Sequence, residues 1–171
     1  MPLQTLSIFL VFCQALGASV GAFAAVWSEL AYVKAMRDGK IDAAERAHLA
    51  GIGSGLRYGM TLLLLASLGL IVTAYLERAA PQPALSPSYW TLIVLALIII
   101  GISSARARQR ISFTLASAIL FTAWWFLAYL SFGWIALSFG AAIMSFVILT
   151  AVFYAVLSWA RFLVFKKQNH T

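Results

Sequence analysis

Glu29, His48 and Arg57 are the side chains of this chain whose types and placement offer chemistry, because each sits at the edge of a long apolar stretch rather than in a polar surface. A histidine changes charge in the physiological range, and ionisable groups at membrane depth commonly mark ion or proton pathways. Glu29 has Tyr32 and Val33 at i+3 and i+4, so no base on its own helix reaches it and its partner must come from another element. If the first helix ends near Arg37 and the second begins near Ala43, an antiparallel hairpin sets Tyr32 level with His48 and Glu29 level with Gly51. At about 100° per residue His48 shares a face with the glycines of the second helix, which allows Glu29 to meet it. Arg57 and Arg46 point to the far side, toward other helices or lipid headgroups. The simpler reading of the Glu29 and His48 pair is an interfacial hydrogen bond that fixes the hairpin. Glu29 lies just past the apolar core, where water reaches it readily, so this reading is preferred to a proton pathway.

Between the first two apolar blocks, residues 34–57 hold three of the five acidic residues. The stretch DGKIDAAE at 38–45 follows the second half of an EF-hand calcium loop, but the two leading ligand positions are Lys34 and Met36. A hard divalent cation would lose two carboxylates there and meet a cation instead, so no metal site is expected. Local structure explains the same letters: Asp38-Gly39 reads as a turn, and Asp42 with Glu45 as a capping box opening the second helix. The remaining basic groups form two sets. Arg46 with Arg57, and Arg106, Arg108 and Arg110, are candidates for contact with lipid headgroups or an anionic ligand.

The elements that must position these groups are membrane helices. The chain has 171 residues, of which 63% are hydrophobic and 10% charged, with a mean hydropathy of +0.95. A water-soluble domain of this size cannot bury that much apolar surface, whereas a bilayer takes about 20 apolar residues per spanning helix. Spans are expected at approximately 6–33, 55–76, 88–105, 112–132 and 134–160, giving an all-α bundle of five transmembrane helices in a single domain over 1–171. The net charge of +7 is topogenic rather than a nucleic-acid footprint, since of the twelve Lys and Arg only Arg78 falls in an outward gap. By the excess of Lys and Arg in cytoplasmic loops, the N-terminus is outside and the C-terminus cytoplasmic. The first block is expected to remain a span rather than be cleaved as a signal peptide, because its positive cluster follows the apolar run. Cys13 is the only cysteine, so no internal disulfide forms.

Small residues recur every four positions at Gly17, Gly21 and Ala25 and again at Gly51, Gly55 and Gly59, the spacing that lets membrane helices approach closely. Pro81, Pro83 and Pro87 mark an outward loop before the third helix, for which Ser86 or Ser88 is the expected cap. A tight connection around Gly133 makes spans four and five antiparallel neighbours. Trp27, Trp90, Trp134 and Trp159 fit interfacial belts, but Trp124 and Trp125 fall mid-span. They pack between helices or face lipid, the alternative being an aromatic wall for a ligand.

Absences narrow the function classes. The sequence has no HExxH, P-loop or cysteine pair, and His170 lies in the tail, so no catalytic residue, haem or other cofactor is assigned. The leading expectation is a small multi-pass protein of the bacterial inner membrane acting through helix association, as accessory subunit or lipid-contacting bundle. Its partners are then the lipid bilayer and a membrane protein or further copies of itself, without nucleic acid. The second expectation is a small transporter or channel whose inner mouth carries Glu29, His48 and Arg57. A membrane-embedded enzyme would need a polar cluster assembled from distant spans.

Overall fold

The computed structural model describes residues 3–35, 43–78, 82–134 and 137–168, without the side chains at 35, 44–46, 48–50 and 164–168. Its helices are α1 (Leu3–Ala35), α2 (Ala43–Leu76), α3 (Pro87–Ala107), α4 (Phe113–Ser131) and α5 (Phe139–Gln168), with a 3-10 turn at Pro83–Leu85 ahead of α3. All five are long and apolar enough to cross a membrane. In hydrocarbon every backbone polar group must be satisfied within the segment, which is why continuous Leu, Ile, Ala and Val runs become helix.

Local chemistry sets the ends. The Ser86 hydroxyl caps α3 by accepting from the Tyr89 N–H at 3.2 Å, with Pro87 in the first position. α3 closes on Gln109, a left-handed residue (φ 55°), with Gln109 N–H on Arg106 O at 2.9 Å and Arg110 N–H on Ala105 O at 3.0 Å. α4 closes in the same pattern on Gly133 (φ 68°), with Trp134 N–H on Tyr129 O at 3.1 Å. That bond ties Trp134 back onto α4. α5 therefore starts at Phe139, later than the apolar run beginning at 134, with Ala141 N–H 3.4 Å from the Ser138 hydroxyl. At the other boundary, α1 and α2 run beyond their apolar cores to Ala35 and back to Ala43. The expected turn at Asp38-Gly39 and the side chains of the capping box lie outside the described residues.

α4 is the central helix. It packs on α1, α3 and α5, and 56% of its span is buried against 11% for α5. The core runs through Ala18, Ala22, Leu63, Leu95, Ala123, Trp124 and Leu127. α1 and α2 form an antiparallel pair whose closest approach is Gly17 against Gly59: a Cβ at either would stand 2.8 Å from the other's carbonyl oxygen. Toward the bundle end beyond that crossing, Leu10 fills the space at Gly69 and Gln14 Nε2 donates to Ser67 Oγ at 3.0 Å. In the other direction the rows diverge. Gly55 only reaches the Ala24 methyl at 4.0 Å, and Gly51 has nothing within 4 Å of a Cβ position. Gly21 serves a different neighbour, since its missing side chain makes room for the Trp124 ring of α4.

Candidate functional site

One end of the bundle gathers a buried ionic cluster. Glu29 comes from the last turns of α1, Arg106 from the last turn of α3, Ser117 from the second turn of α4 and Arg161 from the C-terminal third of α5. Arg161 Nη2 donates to Glu29 Oε2 at 2.6 Å and to Ser117 Oγ at 3.0 Å, while the Ser117 hydroxyl donates to Glu29 Oε1. The side chains of Arg161 and Glu29 are 7% and 12% exposed. Three helices are thus joined through one guanidinium and one carboxylate. At such burial the hydrogen bonds, rather than Coulomb attraction alone, must offset desolvation of the charges.

Aromatic rings flank the ions. Tyr32 of α1 stacks on Phe113 of α4, with centroids 3.6 Å apart and planes at 19°. Arg161 Cζ lies 5.6 Å from the Tyr32 centroid and 5.2 Å from that of Phe113, and Arg106 Cζ stands 4.3 Å over the Phe113 ring. A guanidinium carries five N–H donors. The two on Nη2 go to Glu29 and Ser117; Nε and Nη1 have no hydrogen-bond partner among the described residues. Two guanidinium groups face one carboxylate, so the cluster has unspent positive charge. Both Glu29 oxygens are already engaged, which holds it as a strut between helices.

The residues singled out from sequence fall in different places. Glu29 finds the tertiary partner its helix lacks, and that partner is Arg161. The side chains of His48, Arg46 and Glu45 lie outside the described residues, as does the EF-like segment through Asp42. Arg57 is exposed on α2, with Nη2 3.2 Å from Ser54 Oγ. Arg106 joins the cluster, whereas Arg108 and Arg110 are exposed in the α3–α4 connection. Arg161 falls just beyond the span expected at 134–160, and neither it nor Ser117, Gln14 or Ser67 is among the candidates that residue type and spacing single out. A signal for Arg161 was present: FLVF follows it, so the apolar run continues past the charge. Nothing comparable distinguishes Ser117 from other serines in the spans. Among the described residues no group of three His, Cys, Asp or Glu side chains comes together.

A second feature lies along the seam of α4 and α5. Phe121 meets Phe153 at 5.0 Å between centroids and Phe126 meets Phe146 at 6.3 Å. Between these helices opens a groove of about 340 Å³ walled by Phe121, Thr122, Trp125, Tyr129, Leu149 and Phe153. Trp125 and Tyr129 also line a neighbouring groove of about 230 Å³ with Phe23 and Trp134. Trp124, by contrast, is 1% exposed and wholly packed among helices. The two mid-span tryptophans therefore divide, one to the core and one to a groove wall.

Fold and site together define a small helical bundle of five membrane-crossing helices, bound at one end by a buried Glu–Ser–Arg network. No family model, no curated protein and no solved structure matches this chain.

Proposed function

We propose that this protein acts through association within the bilayer, as a lipid-contacting helix bundle of the bacterial inner membrane, with the N-terminus outside and the C-terminus cytoplasmic. One observation carries the reading. Among the described residues α5 is buried only at Ala142 and Phe146 near its start and at Arg161 near its end. Between these two attachments it meets α4 at the Phe121–Phe153 ring contact and otherwise leaves an aromatic groove open along the seam. A gap there is filled by an apolar chain, and lipid is the chain at hand. The cluster end carries Lys34, Arg106 and Arg161, which supports placing it at the cytoplasmic face. An accessory-subunit role would use the same flank of α5 against a partner helix.

The transporter reading draws on the charges inside the bundle and keeps Glu29, His48 and Arg57 at its inner mouth. The engagement of both Glu29 oxygens by Arg161 and Ser117 favours the structural role over it. Purification in mild detergent, followed by mass spectrometry of the intact particle, tests the main reading. Phospholipid retained at a fixed ratio, with a melting temperature that rises on adding lipid, is the expected result. A lipid-free particle indifferent to added lipid would overturn it.

A further inference from the structure

We infer that the α4–α5 seam binds one anionic phospholipid, its phosphate held by Arg161, Arg106 and the N-terminus of α4 and one acyl chain laid in the aromatic groove. The inference rests on the lipid-contacting reading and names the lipid and its site. Ser117, Phe121, Trp125 and Tyr129 recur every four residues on α4, and Leu149, Phe153, Leu157 and Arg161 do so on α5. Residues at this spacing form one slowly turning stripe on a helix. The contacts of Ser117 with Arg161 and of Phe121 with Phe153 set the two stripes against each other. The ionic cluster and the groove are therefore two stations on one seam.

Their separation suits a phospholipid. Phe113 to Phe121 on α4, and Arg161 to Phe153 on α5, each correspond to about 12 Å along the helix. One leaflet of hydrocarbon is about 15 Å deep, so a chain descending from a phosphate at the level of Arg161 passes through the groove.

Charge selects an anionic headgroup. Arg161 is 6% exposed, yet its Nε and Nη1 donors find no hydrogen-bond partner among the described residues, an arrangement that an acceptor oxygen would relieve. Its guanidinium lies 5.2 Å from the ring of Phe113, the first residue of α4. There the Ser112 side chain makes no cap bond, leaving the first-turn amides to another acceptor. Arg106 over the same ring brings a second positive charge against the single carboxylate of Glu29. A zwitterionic lipid offers the phosphate but cancels it with its own cation. Free phosphate offers the charge but leaves the groove unused.

The test uses the full chain, stripped of lipid in detergent, with phosphatidylglycerol, phosphatidylcholine or inorganic phosphate added, reading bound lipid by native mass spectrometry and stability by thermal melting. The expected result is one phosphatidylglycerol per chain, a raised Tm, weaker retention of phosphatidylcholine and no shift with inorganic phosphate. Arg106→Gln, which leaves the Glu29–Arg161 pair intact, should weaken phosphatidylglycerol about fivefold, the effect of one basic residue at a membrane surface. Leu149→Trp fills the groove without touching a charge, and should weaken retention of phosphatidylglycerol at unchanged headgroup preference. Equal retention of the two lipids, or an Arg106→Gln variant that binds as the parent does, would overturn the inference while leaving the lipid-contacting reading standing. Inorganic phosphate that reproduces the Tm rise also overturns it, assigning the site to a soluble anion. Retention of neither lipid removes both readings.

Discussion

Arg161 is the residue on which α5 depends at its C-terminal end, since no other described residue of that half of the helix is buried. Replacing it with Met removes the cationic partner of a carboxylate that is 12% exposed and leaves that carboxylate only the Ser117 hydroxyl. Breaking a buried pair from one side destabilises by about 3–5 kcal/mol, because the surviving charge is left without compensation. Removing both charges together, Glu29→Leu with Arg161→Met, should restore most of that loss. Thermal or SDS-induced unfolding of the two variants separates the cases, and an equal loss in both would mean that the pair is not what joins the helices. In the sequence the need was legible but the answer was not. Glu29 lacks any partner on its own helix, so a tertiary base had to exist, yet Arg57 and His48 were nearer along the chain.

At the scale of elements, the glycine rows give unequal expectations. Gly17→Ala puts a methyl 2.8 Å from the Gly59 carbonyl and the Leu63 amide, both backbone atoms that cannot swing aside. Separating the two helices should cost about 1–3 kcal/mol, as overpacking does elsewhere. Gly51→Ala meets nothing within 4 Å and should be neutral or stabilising, by up to about 1 kcal/mol of helix propensity. Unfolding midpoints of the two variants, measured side by side, check the contrast; equal shifts would contradict the crossing point at Gly17 and Gly59. The four-residue spacing announced that two helices pack closely. It did not say where they cross, nor that Gly21 would be given to Trp124, because that depends on how α4 seats against the pair.

Among the described residues five helices are long and apolar enough to cross a membrane, and the sequence concentrates Lys and Arg between the first two, between the third and fourth and after the fifth; the orientation proposed above rests on that asymmetry. A fluorescent reporter fused after Thr171 should fold and fluoresce in the cytoplasm, and alkaline phosphatase inserted after Leu85 should be active outside. The reverse pattern would place the ionic cluster at the outer face and remove the positive-inside argument. Removing the basic excess between α3 and α4 by Arg108→Ala and Arg110→Ala should disturb insertion more than stability, since both side chains are exposed.

Hydropathy alone settled that this chain makes five lipid-compatible helices, because a backbone without water has no other way to satisfy its donors and acceptors over such runs. The residue types also marked helix ends at Ser86 or Ser88 and around Gly133, since caps and tight turns follow from local hydrogen bonding, and the structure gives the cap to Ser86. Which helices are neighbours, and how each is rotated, was decided only in three dimensions. Lipid is as apolar as leucine, so a membrane helix can be apolar all round and its sequence carries little record of which face meets protein. The joining of Glu29 to Arg161, 132 residues apart, and the opening of a groove beside Trp125 both depend on that rotation.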